Sequence, residues 1–93
     1  MKVVVFMTLV GQEVLAELIT ERVDAIVVSK PRAFVVGQSQ DGNLTASLVP
    51  FIQTSPDISN LTIPLKNIMC WFDADLSLTK SYQKATSSIQ LLG

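Results

Sequence analysis

The residues able to do chemistry in this 93-residue chain are few, and their spacing limits what they do. Asp73 and Asp75 are the only tightly spaced carboxylates. On a strand, positions i and i+2 share a face, where two carboxylates can hold a cation or act as acid and base. Beside a helix start, Asp75 instead faces the positive end of the helix dipole, and the pair reads as a solvated break. Glu13, Glu17 and Glu21 read as a charged outer face. Cys70 lies between Met69 and Trp71 in an apolar run and reads as a buried, inert thiol. There is no histidine, which removes the commonest general base and metal ligand. Ser/His/Asp sets, a Walker loop and G-x-G-x-x-G are all missing from the sequence. These residues point to a non-enzyme with no cofactor and no metal.

The elements that would carry these residues are mostly strands. Runs rich in Val, Ile and Thr, cut by Gly, Pro and polar turns, are the all-β pattern. The expected runs are Val3 to Val10, Glu13 to Ile19, Ala25 to Ser29, Ala33 to Val36, Leu44 to Ile52 and Leu61 to Phe72. Over Glu13 to Ile19 a helix also fits, since Leu15 breaks the alternation. A strand is the preferred reading, because Gly11 precedes it as a turn residue and no cap residue opens a helix. Pro31 lacks an amide donor and favours extended geometry at Lys30, which suits an edge, a strand start or a bulge. Gly37 to Asn43 reads as a hairpin loop with Asp41-Gly42 at the turn. Both faces of the last strand are apolar towards Phe72, which predicts cover on both sides. From Ser77, the apolar face Leu78, Tyr82, Ala85 and Ile89 predicts a helix over about 76–90, capped by Ser77 or Asp75.

Length allows a single domain, with a small bent barrel or open sheet over about 3–73. Charged residues make up 16% of the chain and hydrophobic ones 48%, a low charge for an isolated surface. Net charge is −1, so a general basic field for nucleic acid is missing, although local patches remain open. No apolar run is long enough for a spanning helix, so no membrane partner is expected. One cysteine fits a reducing, cytoplasmic compartment.

The segment Phe6-Met7-Thr8-Leu9-Val10-Gly11-Gln12-Glu13-Val14-Leu15-Ala16-Glu17-Leu18 resembles the first motif of the Sm-like family. Ile63-Pro64-Leu65-Lys66-Asn67-Ile68-Met69 resembles the region of the second. The order of Lys30-Pro31-Arg32-Ala33-Phe34, then Leu48 to Phe51, then a C-terminal helix bearing Tyr82, is similar to small Sm-like proteins of tailed phages. The resemblance spans Val3 to Ile89. It implies a strongly bent, five-stranded antiparallel Sm-like barrel of the SH3 type with a C-terminal helix. It also implies a cytoplasmic homo-oligomer whose subunits join edge strand to edge strand in rings of about five to seven. The implied function is single-stranded RNA binding of the RNA-chaperone kind. The family's Met-Asn and Arg-Gly base readers are missing from the corresponding segments here. The resemblance therefore leaves Lys30, Arg32 and Lys66 for phosphates, Phe34 for base stacking, and Asn67 beside Lys66. The alternative roles are edge-strand gatekeepers for Lys30 and Arg32, a solvated Lys66 and a core Phe34. The alternative function is a structural or adaptor oligomer that binds protein.

Overall fold

The computed structural model describes residues 1–87. Six strands are followed by one helix: β1 Val3–Thr8, β2 Glu13–Glu21, β3 Ala25–Gln38, β4 Leu44–Pro50, β5 Leu61–Pro64, β6 Ile68–Asp73 and α1 Leu76–Thr86. All pairings are antiparallel, in the order β4-β3-β2-β1-β6, with β5 on the first half of β3. No pairing joins β5 to β6 among the described residues, so the barrel is not closed.

The long strand β3 organises the sheet. Its second half, Arg32 to Gln38, pairs β4, and its first half, Ala25 to Val28, pairs β5. Between the halves, Glu17 faces Ser29 and Leu15 faces Arg32, so Lys30 and Pro31 together oppose Ala16. This is a β-bulge, which bends the strand. Lys30 has φ 52°, not the extended backbone expected before proline. The bulge, held by contacts from distant segments described below, overrides the local preference. Pro31 therefore does not end the strand but sits in its bulge, where no ladder amide is needed.

The sheet is covered on both faces. Val4, Phe6, Val14, Ala16, Ile26, Val28 and Ile68 form one buried cluster, joined by Phe51, Ile63, Leu65 and Trp71. Residues from both ends of the strand path meet there, so the sheet curls around this cluster. Phe6 and Phe51 pack edge to face at 6.1 Å between centroids. On the other face, Val3, Val5, Leu15 and Tyr82 form a second cluster with Phe34, Leu48, Ala74 and Leu78, and α1 lies over it. This explains Leu15: β2 is a strand, and the residue that breaks its alternation is buried under the helix.

Several sequence expectations are corrected. Leu61 to Phe72 is two strands, not one, which gives six strands in place of five. Pro64 closes β5, a 3₁₀ turn at Leu65–Asn67 follows, and β6 turns away to pair β1. Cys70 is exposed, not buried, because β6 is an edge strand. Helix α1 starts with Asp75 as its cap, whose Oδ1 accepts the Leu78 amide at 2.8 Å. It ends at Thr86, short of the expected boundary near residue 90, with Ser87 extended; Ile89 and Gln90 lie outside the described residues. Eleven residues form a marginal helix in water, so its docking on the sheet sustains it. No described helix is long and apolar enough to cross a membrane.

Candidate functional site

Lys30, Arg32 and Phe34 stand along the middle of β3. The bulge positions them, and three distant segments hold the bulge. The Tyr82 hydroxyl, from α1, donates to the Lys30 carbonyl at 2.8 Å and the Ser29 carbonyl at 3.1 Å, and accepts the Glu17 amide at 3.2 Å. A phenol thus replaces the ladder bonds that the extra residue removes. Its burial pushes the Tyr82 pKa up to about 12, because an ionised phenolate would be desolvated there. The β4–β5 loop closes over the same place. The Lys30 amide donates to the Ile58 carbonyl at 2.7 Å, and the Phe51 amide donates to the Pro31 carbonyl at 3.2 Å.

Arg32 has only 9% of its side chain exposed. Its Nη2 donates to Asp57 Oδ1 at 2.7 Å, and its Nη1 donates to the carbonyls of Pro56 and Pro31. The guanidinium therefore ties the β4–β5 loop to β3. A phosphate approaching it would compete with a carboxylate and two carbonyls already in place. Phe34 is half-buried under α1 beside Leu48. Lys30 is half-buried, with its backbone fixed. The gatekeeper reading of Lys30 and Arg32 is corrected as well, since β3 is flanked on both sides and is not an edge.

Lys66 and Asn67 are exposed on the 3₁₀ turn. They do not join Lys30. Pro64 pairs Ala25 while Leu61 pairs Val28, so the turn lies at the opposite end of β5 from the bulge. Ala25 and Lys30 are separated by roughly 16 Å of strand. Instead, the Leu65 amide donates to the Asp24 carbonyl at 2.9 Å, which fixes the 3₁₀ turn against the β2–β3 turn. That turn, closed by the Arg22 amide on the Ala25 carbonyl at 2.8 Å, carries exposed Arg22 and Val23. Arg22, flanked by the exposed carboxylates of Glu21 and Asp24, is a cation on that turn that the sequence reading passed over. The only local signal was the polar break between the second and third apolar runs.

Asp73 faces Lys2 at 3.4 Å, and Asp75 is spent as the helix cap. Among the described residues, no three of Cys, Asp and Glu gather as a metal site. Asp41 is held below its ordinary pKa, first by the Ser39 hydroxyl and then by the Asn43 amide, in a loop that closes on itself. The arrangement offers binding surfaces: the exposed side chains of Arg22, Lys66 and Asn67, with the carboxylates of Glu21 and Asp24 on the same turn, an apolar groove between α1 and β4, and the outer edges of β4, β5 and β6, which are unpaired among the described residues. No family model matches the sequence, and no curated protein matches it.

Proposed function

We propose that this chain is a non-catalytic, ring-forming Sm-like protein that binds single-stranded RNA. The observation that carries the reading is an open antiparallel sheet with apolar side chains exposed at both ends. Strand β4 pairs only β3, and β6 pairs only β1, among the described residues. Leu44 is 75% exposed on β4, and Met69 and Phe72 are 61% and 49% exposed on β6. Isolated sheets blunt such edges with charge or proline. Here the regular part of β6, Cys70–Asp73, holds one charge at its end, and β4 holds one proline at its end. Head-to-tail pairing of β4 with the β6 of a second copy covers these two of the three strand edges, β5 keeping its own, and a rotation that closes makes a ring. The curl of the sheet, its strand order and the 3₁₀ turn before the last strand support the Sm-like assignment.

In that ring the exposed cations Arg22 and Lys66, with Asn67, repeat once per subunit. Weak phosphate contacts then add through effective concentration. An adaptor role, binding protein, is the second reading. It is favoured by one observation: Arg32 and Phe34, two of the five RNA candidates, are engaged inside the fold. Binding of fluorescent U-rich and A-rich oligonucleotides across a salt series tests the choice. RNA binding predicts affinity that falls with salt and weakens for both Lys66→Ala and Arg22→Ala. Undetectable binding at low salt overturns the RNA reading and leaves the adaptor.

A further inference from the structure

The face of the sheet under α1 is finished at its centre and unfinished at its two edges. On one edge, Phe72 of β6 pairs Val5 of β1, and directly opposed residues in an antiparallel pair share a face. Val5 belongs to the cluster beneath α1. Phe72 therefore stands on the helix side of the sheet, yet it is half exposed because α1 does not reach it. On the other edge, α1 and β4 leave an open groove of about 290 Å³ between them. Its apolar lining is Phe34, Ala46, Leu48, Leu78 and Ala85, with Lys84 at its side. Leu48 pairs Phe34 directly, so the groove is on that same helix side.

We infer that Phe72 of one subunit fills the groove between α1 and β4 of the next. The inference rests on the ring reading and names what the helix adds to it. A sheet that continues from β4 into a neighbour's β6 continues its two faces as well. Strands β4 and β6 run in the same direction, so a head-to-tail repeat that keeps the helix side pairs them in parallel, and the neighbour's Cys70 and Phe72 then lie on the helix side, beside Ala46 and Leu48. Phe72 is the large apolar side chain of that pair, and the groove is the apolar cavity next to it. The helix thus acts as one wall of a socket, and the socket is incomplete without a second copy.

The test uses the full chain and two variants at exposed positions. Phe72→Ala removes the plug, and Ser81→Trp fills the socket, since Ser81 lines the groove and is exposed. Circular dichroism melts establish that each variant is folded. Light scattering over a dilution series then reads assembly. Each variant is expected to raise the concentration at which the assembly dissociates by at least about tenfold. Mixing the two is the sharper arm. The plug of Ser81→Trp fits the open socket of Phe72→Ala, but the remaining plug and socket cannot extend the chain. The mixture is expected to form one-to-one heterodimers where each variant alone is monomeric. A wild-type ring that both folded variants reproduce at the same concentrations overturns the socket and leaves the ring. A wild-type monomer overturns both. If Ser81→Trp unfolds, Ala46→Arg, also exposed in the groove, blocks the socket in its place, and if Phe72→Ala unfolds, Phe72→Gln removes the apolar plug in its place; each is read in the same way.

Discussion

The hydroxyl of Tyr82 lies 2.8 Å from the carbonyl of Lys30, a residue 52 positions earlier in the chain. The same oxygen accepts the Glu17 amide from the opposite strand. One side chain from the helix therefore closes the gap that the β3 bulge opens in the sheet. This couples three things that look separate in sequence: the lone tyrosine, the Lys30-Pro31 bend and the docking of α1.

Removing only the hydroxyl tests that coupling. Tyr82→Phe leaves the Glu17 amide and the Lys30 carbonyl without their partner in a partly buried place. The expected loss of stability is about 1–3 kcal/mol, read by urea unfolding. Tyr82→Ala also opens a cavity and is expected to cost about 3–5 kcal/mol.

The same phenol sets an alkaline limit. Tyr82 is fully buried, and its pKa in the fold is about 12 against an ordinary 10.0. Between those values the unfolded chain has released the proton and the folded chain has kept it. The folded state binds more protons, so stability falls as pH rises. The contribution is complete below pH 10 and is lost by about pH 12, a total of about 3 kcal/mol. Unfolding free energies measured across that window are expected to decline for the wild type. The decline attributable to this group is expected to vanish in Tyr82→Phe.

Arg32 is predicted to act on the β4–β5 loop. Arg32→Met keeps the length of the side chain and removes its bonds to Asp57, Pro56 and Pro31. A loss of about 1–3 kcal/mol is expected, with faster proteolytic cleavage between residues 52 and 58. Asp57→Asn is expected to cost less, because that carboxylate is mostly exposed.

Lys30 sits at φ 52°, where a side chain is strained and glycine is not. Lys30→Gly is expected to change stability in the favourable direction by up to about 1 kcal/mol. A substantial destabilisation would mean that the lysine side chain itself packs into the bulge. The measurement is the midpoint shift in urea at an unchanged slope.

The sequence was most readable where local pattern and burial agree. Alternation and turn residues placed β1, β2 and β4 within a few residues, and the face Leu78–Tyr82 placed the helix. It was least readable where distant contacts decide. Nothing near Lys30 announces a left-handed backbone, because the tyrosine and the loop that hold it come from elsewhere. Pro64 was read through as a strand, since Leu61 to Phe72 alternates on both sides of it. Cys70 looks buried by composition and is exposed by position, on an edge. The same logic separated Lys66 from Lys30: register, not residue type, sets them at opposite ends of β5. The bond from the Leu65 amide to the Asp24 carbonyl likewise joins two turns that are far apart in sequence.

Self-association through β4 and β6 decides between a ring and an isolated protomer. Light scattering of the wild-type chain at micromolar concentration measures it directly. Five to seven copies of a 10.1 kDa protomer predict a particle of about 50–70 kDa. A single 10.1 kDa species across the concentration range would contradict the ring.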